Sequence, residues 1–207
     1  MPAPSRIERR RAERASRILQ IAARRFAAVG VDGVRLDEIA DEADIARATL
    51  YSHFATKEAL VSAIVRPALE QALHDASGIK LGDAREAVRK LLRLYLKLWK
   101  AHPDGMRIGH RIQGTPLGDC ADLHRAFMKH VLRVFGAACT AGLLRTGDPT
   151  LSAMLLARLA IPMLETYGGL ARCDDLFLDS MEGVLLQQVA RPKLSTTAPA
   201  ASRSPRK

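Results

Sequence analysis

The sequence predicts an all-α protein that consists of a small helical head and a larger helical body. Apolar residues make up 48% of the 207 residues, whereas aromatic residues make up only 4%. A chain rich in Ala, Leu and Arg favours helices over strands, which use more Val, Ile, Thr and aromatic residues. Apolar side chains also recur at steps of three and four, the spacing of an amphipathic helix. We expect about nine helices.

Composition divides the chain into four predicted segments. These are a basic, disordered arm over residues 1–12, a head over 13–60, a body over 61–190, and a basic tail over 191–207. The tail consists largely of Pro, Ser, Thr, Ala and basic residues, so it has nothing to bury and is predicted to be disordered.

The net charge of +10 is distributed unevenly along the chain. Residues 1–60 hold 11 basic and 9 acidic groups, whereas residues 191–207 hold 5 basic groups and none that are acidic. The first 25 residues contain eight arginines against Glu8 and Glu13. Such clusters suit a polyanion, because Arg and Lys displace counterions from phosphates. A membrane surface and a merely solubilising role are the alternatives at each end.

Three helices are predicted in the head. The first runs from about Ser16 to Ala28 and ends at Gly30, and two short helices cover about 36–43 and 46–54. Their apolar positions are Ile18, Ala22, Phe26 and Val29 in the first helix, Ile39 and Ala40 in the second, and Leu50 and Phe54 in the third.

The two short helices and the residues between them predict a helix-turn-helix. Ala43-Asp44-Ile45 forms the turn, and Asp44 stands where the backbone needs a positive φ, which Gly adopts best and Asp tolerates. Small alanines on both sides allow the helices to cross closely. The second short helix is polar outside its core positions, as expected of a helix that enters the major groove of DNA.

The body is predicted to contain longer helices with recognisable caps. The helix from Lys57 is capped by Thr56 and ends near Ala76, and another begins at Asp83 and ends before Pro103. Residues 104–117 show no clear pattern. The remaining helices run from about Leu123 to Gly142, from Asp148-Pro149 to Tyr167 with a kink at Pro162, and from about Asp175 to Val189.

Several classes of protein are not indicated by the sequence. The three cysteines lack a CxxC spacing, so we expect a reducing, cytoplasmic setting without disulfides. The Arg-rich N-terminus lacks the apolar core of a secretory signal, and no membrane span is predicted. His102, His110, His124 and His130 lie near Cys120 in sequence but do not follow the spacing of a zinc site. We therefore expect no metal, no cofactor and no catalytic residues.

The run from Ala43 to Leu60, ADIARATLYSHFATKEAL, resembles the signature of the TetR family of transcriptional regulators. In that family the run reads roughly A-G-V-S-[KR]-[GA]-T-[LIF]-Y-x-[HY]-F-x-[STN]-K-[ED]-x-L. The resemblance is specific over about residues 14–62 and extends beyond them only as a helical layout. This chain departs from the pattern at Asp44, which replaces Gly, at Ala46, which replaces Ser or Thr, and at Val34-Arg35, where Thr commonly caps the first short helix.

The resemblance implies that the head binds double-stranded DNA. Base or backbone contacts are implied for the start of the recognition helix, phosphate contacts for Tyr51, His53 and Lys57, and Arg35 stands where it would reach a phosphate. The predicted DNA-binding residues are Arg35, Leu36, Ala46, Arg47, Ala48, Thr49, Tyr51, Ser52, His53 and Lys57.

The resemblance also implies a body that binds a small molecule and pairs two subunits. The last two helices would form the homodimer interface, two heads would read a palindromic operator, and an unknown ligand would release a repressor. Candidate ligand-pocket residues are Trp99, Met106, His110, Phe127, Met128, Met163 and Tyr167. The alternatives are a protein that coats DNA without sequence preference and an enzyme with a vestigial head.

Overall fold

The computed structural model describes residues 5–112 and 118–187, which form an all-α fold as predicted. Nine α-helices lie within these residues, together with one 3-10 turn. The helices are α1 (Arg6–Val29), α2 (Leu36–Glu42), α3 (Arg47–His53), α4 (Lys57–Ser77), α5 (Ala84–Ala101), α6 (Pro103–Arg111), α7 (Ala121–Thr140), α8 (Pro149–Tyr167) and α9 (Cys173–Leu185), and the 3-10 turn covers Gly118–Cys120. None of these helices is both long and apolar enough to cross a membrane.

The predicted helix caps are present. Thr56 Oγ1 accepts a hydrogen bond from the Ala59 amide at 3.1 Å, and Asp83 Oδ1 accepts one from Glu86 at 3.0 Å. Asp148 Oδ1 accepts one from Leu151 at 2.8 Å, with Pro149 in the first turn of α8. Each cap satisfies an amide that has no partner inside its helix, which explains why these helices begin where the sequence indicated.

The start of α1 differs from the prediction. The helix begins at Arg6 instead of near Ser16, so residues 6–12 are helical and not part of a disordered arm. A capping box fixes this start: Ser5 Oγ accepts from the Glu8 amide at 3.2 Å, and the Glu8 carboxylate accepts from the Ser5 amide at 2.7 Å. These reciprocal bonds satisfy free amides at a helix end that is otherwise surrounded by solvent.

A second difference is α6, which occupies most of the segment without a clear pattern. Pro103 ends α5 as predicted and at the same time begins α6, because proline fits the first turn of a helix. Val29, expected on the buried face of α1, is 65% exposed. The predicted tail over residues 191–207 lies outside the described residues.

Two hydrophobic clusters fill the fold. The body cluster joins the C-terminal part of α4 with α5, α7, α8 and α9. The head cluster contains Ile18, Phe26, Ile39 and Leu50, all less than 2% exposed, and continues into the first half of α4 and to Ile108 of α6. The head is therefore packed directly on the body through α4 and α6.

Candidate nucleic-acid interface and ligand cavity

Helices α2 and α3 cross through a tight turn that the sequence predicted correctly. Asp44 has a φ of 55° and is the one non-glycine residue with a positive φ in the part of the chain that the structure describes. The Ile45 amide donates to the Ala40 carbonyl at 3.1 Å, which closes the turn. Ala43 and Leu50 are buried beneath the crossing, so the two helices hold a fixed relative orientation.

Helix α3 presents a polar surface to solvent and one apolar residue to the head core. Leu50 is buried, whereas Tyr51 is 48% exposed although it is aromatic. Thr49 and His53 are half-buried, and the Ser52 hydroxyl donates to the Thr49 carbonyl at 2.7 Å. The exposed residues at the start of the helix are Ala46, Arg47 and Ala48. This surface is the one that a recognition helix turns to base edges and phosphates.

Two of the predicted DNA-binding arginines converge on one carboxylate. Asp37 Oδ2 lies 3.0 Å from a guanidinium nitrogen of Arg47 and 3.5 Å from one of Arg35. Both guanidinium groups remain largely exposed, so a phosphate can replace Asp37 as their partner at little cost in burial. Leu36, in contrast, is half-buried and packs against the head cluster.

Lys57 and His53 have environments that the sequence did not indicate. The Lys57 ammonium donates to the Val31 carbonyl at 3.0 Å, which ties the start of α4 to the loop between α1 and α2. Burial lowers the pKa of His53, and the positive charges of Arg11 and Arg14 lower it further. Burial and the nearby positive charges therefore favour the uncharged form of the His53 imidazole.

The N-terminal turns of α1 form a row of arginines without acidic partners. Arg24 and Arg25, further along α1, are held by Glu42 and Glu38 of α2. No ion pair within the described residues engages the arginines of the first turns, which are Arg6, Arg9, Arg10, Arg11, Arg14 and Arg17. Sequence reasoning placed most of them in a disordered arm, although the Ser5-x-x-Glu8 spacing is a helix-start signal.

Three of these arginines face the helix-turn-helix across a cleft. The cleft has a volume of about 640 Å³. Arg10, Arg14 and Arg17 line one side with Glu13, and the turn residues from Ala43 to Ala46 line the other with Thr49. Residues at positions i, i+4 and i+7 share one face of a helix, so the row is straight and rigid. The row lies beside the exposed surface of α3.

A separate cavity of about 780 Å³ lies in the body, between α4, α5, α6, α7 and α8. Four of the candidate ligand-pocket residues line it: Met106, His110, Phe127 and Met128. Further apolar lining comes from residues that the sequence analysis did not select, among them Val65, Ala68 and Leu69 of α4, Tyr95 of α5 and Ile161 of α8. The cavity is within the size range of small-molecule sites.

The other three candidate pocket residues do not line this cavity. The Arg107 guanidinium stacks over the Trp99 ring at 4.6 Å. The Tyr167 hydroxyl lies 3.0 Å from the Ser180 hydroxyl, which joins α8 to α9, and Met163 packs against the body cluster. These three residues lie on the helices that were expected to form the pocket, but their side chains form contacts between helices.

A helix-turn-helix with an exposed polar second helix is typical of a DNA-binding domain. Residues 18–64, which contain it, match the family model described as bacterial regulatory proteins, tetR family. The head of this chain is therefore similar to that of these transcription regulators over residues 18–64. Among the described residues, no group of three His, Cys, Asp or Glu side chains could hold a metal ion.

A curated relative shares part of its sequence with this chain. The mycofactocin biosynthesis transcriptional regulator MftR, so named in Mycobacterium tuberculosis, is 34% identical over 111 residues, which are 54% of this chain and 54% of that protein. The chain thus spans about half the length of this curated relative.

Solved structures match a larger share of the chain. The ketosteroid transcriptional regulator KstR2 of Mycobacterium tuberculosis has a TM-score of 0.65 at 22% identity, with 90% of this chain and 98% of that one covered. AibR, solved with isovaleryl coenzyme A and operator DNA, has a TM-score of 0.61 at 27% identity, with 83% and 97% covered. The fold of head and body together is therefore that of these regulators.

Proposed function

We propose that the protein is a homodimeric repressor that binds a palindromic operator in the cytoplasm and leaves it when a small molecule enters the body. The observation that carries the proposal is the combination of an exposed helix α3 with arginines of α1 that form no ion pair within the described residues. AibR, whose fold this chain shares, was solved with both isovaleryl coenzyme A and operator DNA, which supports a regulator that binds a small molecule as well as DNA.

Helix α6 offers a physical route from the cavity to the head. Met106 and His110 face the cavity, whereas Ile108 belongs to the head cluster. Arg111, at the end of α6, donates a hydrogen bond to the Ala27 carbonyl of α1. A ligand that shifts α6 would therefore move α1 and the head with it. It changes DNA affinity only to the extent that it binds the two arrangements with different affinity.

Sequence-selective binding tests the proposal directly. In a gel-shift assay at about 0.15 M salt, we expect the protein to prefer palindromic DNA from the region flanking its gene over a random duplex. Tyr51→Ala should weaken that specific complex by roughly 1–3 kcal/mol, the usual cost of one lost contact at such an interface. Tyr51→Phe removes only the hydroxyl, so it distinguishes the contribution of the hydroxyl to DNA affinity from that of the ring.

The alternative, a protein that coats DNA through charge alone, makes the opposite prediction. A protein of this kind should bind any duplex with equal affinity, and Tyr51→Ala should leave that affinity unchanged. The observation in its favour is that six arginines of α1 form no ion pair in the part of the chain that the structure describes. Equal affinity for the palindrome and the random duplex would establish it in place of a regulator.

The dimer is proposed to form through α8 and α9. Arg158 of α8 and Asp179 of α9 are exposed, and neither forms an ion pair within the described part of the chain. Leu151 of α8 is 46% exposed although it is apolar. Two copies related by a two-fold axis would bring such opposite charges and apolar residues together, because a two-fold interface pairs each surface with its own copy.

Gly183→Arg is a sharp test of this interface. Gly183 lies on α9, and a Cβ atom at this position would meet no other atom within 4 Å, so the protomer tolerates a larger residue. In the dimer, the arginine would bury an unpaired charge and raise the dissociation constant at least about 100-fold, as measured by sedimentation velocity. Gly136→Arg on α7, equally free of neighbours, is the matched control. A Gly183→Arg protein that stays dimeric would exclude the α9 face.

A further inference from the structure

Tyr95 is a polar residue in the wall of the largely apolar body cavity. It lies on α5 and is 9% exposed, yet no hydrogen bond within the described residues engages its hydroxyl. The residue lines the body cavity, and its ring centroid lies 6.3 Å from that of Phe127, which also lines it. A hydroxyl in the cavity wall that makes no hydrogen bond to the described residues is available to a molecule that enters the cavity.

The side chains that line the cavity with Tyr95 carry little charge. Burial raises the pKa of the Tyr95 phenol well above its ordinary value, so the group is a neutral donor at physiological pH. Burial also lowers the pKa of His124, another lining residue, which favours its neutral form. The one lysine or arginine among the described lining residues is Arg125, which is largely exposed and paired with Asp122 at 2.7 Å.

These observations bear on the charge of a bound molecule. A carboxylate near Tyr95 would lose its hydration without gaining a cation, which is unfavourable in an apolar site. A carbonyl or hydroxyl oxygen loses much less hydration free energy, and it can accept a hydrogen bond from the phenol. Leu98 and Ala72 add apolar contact to the same cavity, whose described polar lining besides Tyr95 and Arg125 consists of His110, His124 and Thr150.

We infer that the cavity takes an uncharged, predominantly apolar ligand whose carbonyl or hydroxyl oxygen accepts a hydrogen bond from Tyr95. This inference rests on the proposed function, because it names the chemical class of the molecule that the regulator senses. It distinguishes this class from fatty acids and other organic anions, whose charged group would have to remain at Arg125.

Isothermal titration with a matched pair of probes tests the inference. Decan-1-ol and decanoate have the same chain length and differ in the charge of the head group. At pH 7.5 we expect decan-1-ol to bind the full-length protein at least about tenfold more tightly than decanoate, in keeping with the cost of burying a charge. Tyr95→Phe should weaken decan-1-ol binding about fivefold, the effect of one neutral hydrogen bond.

Control variants make each outcome decisive. Thr140→Val removes a hydroxyl that is bonded to the Gly136 carbonyl on the exposed side of α7, and it should leave decan-1-ol binding unchanged. Tighter binding of decanoate, with loss of that binding in Arg125→Ala, would overturn the inference in favour of an anionic ligand. Absence of decan-1-ol binding, or an unchanged affinity in Tyr95→Phe, would overturn it as well. DNA binding by the ligand-free protein is measured separately, so failure here leaves the regulator hypothesis intact.

Discussion

Replacing Arg10, Arg14 and Arg17 together by alanine is expected to weaken DNA binding at least about 100-fold at 0.1 M salt. Each phosphate contact contributes about 0.9 to the slope of log affinity against log salt, which corresponds to nearly a factor of ten at that concentration. The three side chains line the same cleft beside α3, and none of them forms an ion pair with a residue that the structure describes. Fluorescence anisotropy with a labelled duplex, between about 0.05 and 0.2 M salt, measures both affinity and slope.

Single substitutions on α1 provide the matched comparison. Arg9 lies on the same helix as Arg14 but does not line the cleft. Arg14→Ala should reduce the salt slope by about 0.9 for each head, whereas Arg9→Ala should change it far less. Alanine is the best helix former, so both variants keep α1 intact. Equal slopes for the two variants would mean that the row acts only through its total charge.

The helix-turn-helix was predictable because its signals are local. Asp44 marks a positive φ within a run of alternating small and apolar residues, and the neighbouring core positions lie at helical spacing. Each of these signals acts over only a few residues, so no knowledge of distant contacts is needed. The backbone that carries the recognition helix was therefore predicted, whereas the pairing of Arg35 and Arg47 with Asp37 was not, because it depends on side-chain rotamers.

Helix α6 was missed for a physical reason. Gly105 and Gly109 lower its intrinsic helix propensity, so the segment resembles a loop in sequence. In the fold, a side-chain carbon on Gly105 would lie 3.1 Å from the Ile64 carbonyl of α4. The glycine thus permits close packing of α6 on α4, and this tertiary contact offsets the weak propensity. The same glycine therefore lowers the helix propensity that is read from the sequence and permits the helix packing that is found in the fold.

A ligand cavity in the body could be predicted from the sequence, but most of the residues that line it could not. Its wall takes side chains from five helices, and which face of each helix turns inward is decided by packing, not by spacing along one helix. Trp99 illustrates the difficulty, since an apolar ring in the expected region is covered by Arg107 instead. Tyr95 was placed among core residues by its spacing, and its unpartnered hydroxyl is visible only in three dimensions.

The second large effect is expected from Phe26→Ala in the core of the head. Phe26 is completely buried among residues of α1, α2 and α3, so truncation should cost about 3–5 kcal/mol of folding free energy through lost burial and an unfilled cavity. Urea denaturation followed by circular dichroism measures this loss. Val29→Ala is the control, because Val29 lies three residues further along the same helix and is 65% exposed; its cost should stay within about 0.5 kcal/mol.

The same variant shows how far the head and body fold as one unit. The head cluster continues to Ile108 of α6, so the loss at Phe26 should be transmitted to the helix that lines the ligand cavity. If the two parts unfold together, Phe26→Ala lowers a single urea transition and weakens probe binding in the cavity along with DNA binding. If the head unfolds alone, DNA binding disappears while decan-1-ol binding persists and a second transition emerges. The first outcome is expected, since α4 and α6 each contribute residues to the head cluster and to the cavity wall and so couple the folding of the two parts.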